Sequence, residues 1–125
     1  MKSMNKQLFI SAVCIAFLLC AVLPPKATGD YYIVYGNVYE WNSYKQKYYP
    51  VNGMTVKLVC TTGTYYDTTH YHWYHGNGFY DFMASEVGRP ESGTVSVVYE
   101  GCTFSQSFTE DDIPAKRDFY LDVAC

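Results

Sequence analysis

The fold is decided by the stretch Pro50-Val51-Asn52-Gly53-Met54-Thr55-Val56-Lys57-Leu58-Val59-Cys60 and by the run that follows it to His75-Gly76-Asn77-Gly78-Phe79-Tyr80-Asp81-Phe82. Residues 50–53 carry turn chemistry, since Pro, Asn and Gly supply the special backbone angles of a turn. Met54, Val56, Leu58 and Cys60 then share one face while Thr55 and Lys57 point away, which is the period of a half-buried strand. Residues 61–64 turn the chain and a second strand is expected over 65–73. Gly76-Asn77-Gly78 reads as a tight turn, because Asn and Gly tolerate positive φ. Residues 79–83 follow as a short strand with Tyr80 and Phe82 on one face.

The same period extends outward from this stretch. In residues 31–40 it sets Val34, Gly36 and Val38 on one face and Ile33, Tyr35, Asn37 and Tyr39 on the other. The valine face is expected to point inward, with Gly36 where another chain segment approaches closely. Residues 41–49 are polar and aromatic and read as a connection or an irregular hairpin arm, and residues 86–93 as a loop. Residues 94–99 and 102–108 are two strands joined by Glu100-Gly101, a two-residue hairpin signal. Residues 109–116 form an acidic, solvated loop, and residues 119–123 close the domain with Phe119, Leu121, Val123 and Cys125 on one face. Seven short strands and no helical stripe define an all-β, antiparallel-rich β-sandwich.

The first 29 residues are expected to stand outside that fold. Lys2 and Lys6 precede an apolar run over 8–23, interrupted by Ser11, and Ala27 and Gly29 fit the small-residue positions of a signal-peptidase site. Residues 1–29 therefore read as a signal peptide and 30–125 as one domain, secreted or displayed at the cell surface. The run is short for a membrane anchor, which needs about 20 apolar residues. A lipoprotein reading at Cys20 fails because Leu18-Leu19 replaces the small residue expected before the cysteine. Lys2, Lys6 and Lys26 leave with the signal, so the domain is more acidic than the formal −3 of the whole chain. Without a basic patch, nucleic acid is excluded as a partner.

The outstanding bias is tyrosine, 14 residues, all after the signal. Tyr31, Tyr32, Tyr35, Tyr39, Trp41, Tyr44, Tyr48 and Tyr49 crowd the first strand and its connection. Aromatic rings stack on sugars and anchor protein interfaces, so Tyr35, Tyr39, Trp41, Tyr44, Tyr48 and Tyr49 are candidate binding residues. The first strand, close to the mature N-terminus, is also a candidate for pairing with an edge strand of another copy, which would build a fibre or surface array. The chemistry-bearing cluster is His70-Tyr71-His72-Trp73-Tyr74-His75. On a strand His70 and His72 share a face, and His75 reaches in from the turn, so zinc or copper is a candidate ligand. The alternative is a polar-aromatic strand with histidines on its wet face. Nucleophilic catalysis has no motif, and residues 110–112 lack the ligand spacing of a calcium loop.

Val34-x-Gly36-x-Val38, Pro50-Val51-x-Gly53-Met54-x-Val56-x-Leu58, Gly78-x-Tyr80-x-Phe82 and Gly93-Thr94-Val95-x-Val97 together resemble a prealbumin-like domain. Carboxypeptidase-regulatory-like and collagen-adhesin B-type modules are examples, and transthyretin-like and pollen Ole e 1-like proteins are more distant ones. His75 stands where that group usually has Asp before its glycine turn. The resemblance implies one sheet of strands one, four and seven and another of strands two, three, five and six. It also implies that Cys102 and Cys125 lie at one end and pair, leaving Cys60 unpaired, with Cys60–Cys102 as the other pairing. Two enzyme groups of similar fold do not fit. Intradiol dioxygenases place their H-x-H after the G-x-Y-x-F strand, whereas His70 and His72 precede it, and hydroxyisourate hydrolases end in Tyr-Arg-Gly-Ser, which this chain lacks. The expected function is therefore non-enzymatic: a structural or adhesive protein acting through tyrosine-rich faces on itself or other extracellular proteins. The alternative is a module binding carbohydrate, or a metal ion at His70 and His72.

Overall fold

Alternating apolar and polar side chains build two sheets that enclose one core. The computed structural model describes residues 29–123; the expected signal segment up to residue 28, and Cys125, lie outside the described residues. In chain order the strands are β1 (Tyr32–Asn42), β2 (Lys47–Pro50), β3 (Thr55–Cys60), β4 (Gly63–Thr68), β5 (His70–His72) and β6 (Gly76–Met83). A single helical turn, α1 (Ala84–Val87), leads to β7 (Ser92–Tyr99), β8 (Cys102–Thr109), β9 (Ala115–Lys116) and β10 (Phe119–Leu121). The first sheet runs β10-β1-β6-β5, with β2 and β9 also paired to β1, and the second runs β4-β3-β7-β8. Val34, Val38, Tyr80, Phe82, Phe119 and Leu121 face Val56, Leu58, Val95, Val97 and Phe108 across the core. The protein is an all-β sandwich, as the strand periodicity requires.

Ten strands replace the expected seven for local reasons. Residues 47–50 form a true arm, β2, antiparallel to β1, and Ala115–Lys116 adds a short parallel pair inside the expected acidic loop. The expected strand over 65–73 breaks at Thr69, where the chain leaves the second sheet and joins the first. Thr69 is 2% exposed, and its hydroxyl donates to the Val51 carbonyl (2.7 Å) and accepts from the Met54 N–H (2.8 Å). Those two bonds satisfy the backbone at the crossing, where an unpaired buried group would be costly.

Two details of β1 set up the outer face. A register shift between Tyr32 and Val34 places Ile33 and Val34 together in the core, so Ile33 is buried rather than outward. Beyond it the expected alternation holds, and Tyr35, Asn37, Tyr39 and Trp41 lie opposite the valine face. Gly36 does meet a close approach: a Cβ there would lie 2.7 Å from the Arg117 carbonyl carbon. The first strand is not available for pairing with another copy. It is central in its sheet, bonded to β6 and then β2 on one side and to β9 and then β10 on the other. Val123 is 66% exposed rather than inward.

Candidate functional site

The expected turn at residues 76–78 lies instead inside β6, and the β5–β6 turn is made by residues 73–75. Gly78, at φ +76°, is required by proximity, because its Cβ would sit 2.7 Å from the Val38 carbonyl oxygen. Asn37 ties the turn to β1: its side-chain amide donates to the His75 and Asn77 carbonyls, both at 3.0 Å. Its backbone N–H donates to Asp118 Oδ1 at 2.8 Å. The hairpin is thus fixed over the outer face of the first sheet.

That face carries two adjoining aromatic groups. The first surrounds Phe79, which points away from the core yet is 0% exposed. His75 stacks on it with ring centroids 4.4 Å apart and planes 2° from parallel, and His72 lies at 4.7 Å. His70, Tyr32 and Tyr35 close the ring at 5.9, 5.9 and 6.4 Å, and Tyr32 stacks on Tyr35 at 4.7 Å. The second group follows β1 and its partners. Tyr39 and Tyr120, direct neighbours in the parallel β1–β10 pair, stack at 5.0 Å and 10°. Tyr48 meets Tyr120 at 5.2 Å and Trp41 at 5.0 Å.

Of the candidate binding residues, Tyr35, Tyr39, Trp41 and Tyr48 thus share this face. Tyr44 stands apart at the β1–β2 turn, 90% exposed. Tyr49 belongs to the opposite face, in register with Glu40, with the Lys47 ammonium 5.6 Å from its ring centroid. Tyr120 and Tyr32 complete the surface over the buried Phe79; Tyr32 was named in the aromatic run but, like Tyr120 and Phe79, not among the candidate binding residues. Tyr120 alternates with the core residues Phe119 and Leu121, and that alternation was its available signal.

The histidines do share a face, and all three pack on Phe79. Among the described residues, no group of three or more His, Cys, Asp or Glu side chains is placed to hold a metal ion. The Nδ1 atoms of His70 and His72 make local hydrogen bonds. His72 Nδ1 accepts the backbone N–H groups of Tyr74 (3.0 Å) and His75 (3.1 Å), so its proton sits on Nε2. His70 Nδ1 faces the Thr68 carbonyl at 2.8 Å and donates to it. Burial, reinforced by the charge of His72, holds His75 below the ordinary histidine range. The stability contributed by its neutral ring is therefore complete above about pH 6.5 and is lost as pH falls through the lowered folded value.

A carboxyl pair adjoins this group. Asp67 accepts the Asp81 backbone N–H at 2.9 Å, and burial first, then the neighbouring Asp67, push the Asp81 carboxyl up, while His70 and His72 pull it down. Further along, Lys116 pairs with Asp118 at 3.6 Å, and Glu40 accepts the Tyr99 hydroxyl at 2.7 Å. Two open grooves of about 390 Å³ lie elsewhere, on the second sheet, one beside Cys60 and Ser107 and one beside Lys57 and Tyr66.

Fold and site together define a β-sandwich with an aromatic, histidine-containing outer face. No protein-family description, curated protein or solved structure matches the chain.

Proposed function

We propose that this chain is a secreted, non-enzymatic structural or adhesive protein of prealbumin-like type that associates, with copies of itself first, through the outer face of its first sheet. One observation carries the reading: Tyr35, Tyr39, Trp41 and Tyr48, together with Tyr32 and Tyr120, are gathered on a single outer surface instead of serving the core. Amphipathic rings of this kind supply contact area at low conformational cost. Beside these rings Lys116 is already paired with Asp118, and Asp81, in register with Tyr35, is the other charged group of the face. Tyr120 remains 53% exposed and Tyr48 37%, so the rings are accessible. Export is supported by the signal-like residues 1–29, and among the described residues no helix is long and apolar enough to cross a membrane.

Light scattering of the purified protein with native mass spectrometry tests this. Ordered oligomers are expected, and they should be lost in Trp41→Ala combined with Tyr120→Ala. A monomer at all concentrations that gives a glycan-array signal falling in the same variant would replace self-association with carbohydrate recognition on the same rings.

The Cys102–Cys125 link belongs to the same reading. Cys60 is the free thiol among the described residues, which supports Cys102–Cys125 over Cys60–Cys102, and Cys102 is buried at the start of β8. Peptide mapping without reduction is expected to join the peptides of Cys102 and Cys125. A peptide linked through Cys60 would overturn the assignment.

A further inference from the structure

The two turns that border the aromatic face are capped by the same geometry with different chemistry. At the β1–β2 turn, Asn42 Oδ1 accepts the backbone N–H groups two and three residues on, Tyr44 at 3.0 Å and Lys45 at 2.9 Å. This is the Asx arrangement, in which a side-chain oxygen replaces a backbone carbonyl in a turn. At the β5–β6 turn, His72 Nδ1 occupies the equivalent position and accepts from Tyr74 and His75, again two and three residues on. The amide oxygen of Asn42 accepts at any physiological pH. An imidazole nitrogen accepts only while it is unprotonated, and an imidazolium has donors at both nitrogens.

We propose that His72 is a proton-operated latch: its bare Nδ1 holds the Trp73–Tyr74 tip over the outer face, and protonation releases it. The tip is worth holding, since Trp73 is 80% exposed and Tyr74 72% exposed. Trp73 lies on the His72 ring at 5.8 Å and 23°, and Tyr74 meets His75 edge-on at 5.0 Å. Protonation would convert two accepted hydrogen bonds into a clash of donors. It would also place a charge 4.8 Å from the His75 ring and 4.7 Å from the Phe79 ring.

The surroundings do not neutralise the effect. His75 faces His72 from the turn, and its own titration, lowered by burial, adds like charge as pH falls. Asp81 faces it from β6, with Asp67 of β4 behind, and His70 shares its strand. Lys116 and Asp118 act on His75 from the β9 side. Asp81 can serve as counter-charge to the imidazolium, but no carboxylate restores the acceptor that Tyr74 and His75 lose. The consequence for association rests on the outer face being the contact surface; the latch itself does not.

The test is a nuclear magnetic resonance titration of dilute, monomeric protein in EDTA, between pH 8 and 5, the range in which histidines titrate. The His72 ring is expected as the Nε2–H tautomer at neutral pH. The Tyr74 and His75 amides should shift together with that ring and lose roughly fivefold to tenfold of their exchange protection as one hydrogen bond each is removed. The Tyr44 and Lys45 amides, capped by Asn42, should stay unchanged. His72→Asn keeps the acceptor without the titration and should flatten the response, whereas His72→Phe should leave the tip open at every pH. An Nδ1–H tautomer, amides that ignore the ring's titration, or an unchanged response in His72→Asn would each overturn the latch. Because all of this is read in the monomer, a failure of self-association leaves it standing, and its own failure leaves the contact surface untouched.

Discussion

Replacing Gly36 with alanine is expected to cost the domain roughly 4 kcal/mol or more, beyond the ~1–3 kcal/mol of ordinary overpacking. The obstacle is backbone. The added Cβ would meet the Arg117 carbonyl group, with its carbon at 2.7 Å, and Asp118 Oδ1 at 2.9 Å. Residues 115–118 cannot yield cheaply, because three hydrogen bonds hold them against β1 and β6. Arg117 N–H donates to the Tyr35 carbonyl at 2.8 Å, Asn37 N–H to Asp118 Oδ1 at 2.8 Å, and the Tyr80 hydroxyl to the Arg117 carbonyl at 2.6 Å. Each is worth about 0.5–1.5 kcal/mol net, and the buried Tyr80 hydroxyl would suffer more if left alone. Urea denaturation of Gly36→Ala should show either no folded baseline or a midpoint far below wild type. A midpoint within about 1 kcal/mol of wild type would mean that this segment does not pack as described.

Phe79→Ala is expected to lose about 3 kcal/mol, the lower end of the ~3–5 kcal/mol typical of buried phenylalanine truncation. The lower end applies because the site lies outside the main core, under side chains that can settle into the space. Phe79 is the floor on which His75, His72, His70, Tyr32 and Tyr35 rest, so its removal should unstack all of them. At 4–8 °C per kcal/mol for a domain of this size, Tm should fall by about 15 °C. The ring signals of Tyr39, Trp41, Tyr48 and Tyr120 should be nearly unchanged, since that group contacts itself and not Phe79. A Tm within a few degrees of wild type would show the outer cluster to be decoration.

The strands were legible because their faces differ. Met54, Val56 and Leu58 alternate cleanly with polar residues, and the close approach at Gly36 followed from a glycine inside a strand. The sheet crossing at Thr69 was not legible. Nothing in residues 65–73 breaks the strand pattern, and the break is stabilised by a hydroxyl whose partners, Val51 and Met54, lie far back in the sequence. Ile33 was misplaced because a bulge shifts the alternation by one residue without any glycine to mark it. The histidines show the same limit from the side of chemistry. Period two put His70 and His72 on one face correctly. What those imidazoles rest on depends on what stands opposite, and the β5–β6 register puts Phe79 beside His70. The turn was misassigned to Gly76-Asn77-Gly78 because an imidazole capping residues 73–75 has no familiar turn signature, whereas Asn42 does the same work with a residue that has one.

The most direct test of the central claim is a concentration series of nuclear magnetic resonance spectra on the protein at neutral pH, with ring and amide signals assigned. If the aromatic face is the contact surface, raising the concentration should broaden or shift the signals of Tyr39, Trp41, Tyr48 and Tyr120, leaving β8 quiet. Changes confined to the edge strand β8, around Thr103 and Ser105, would contradict the account and locate association at a sheet edge instead.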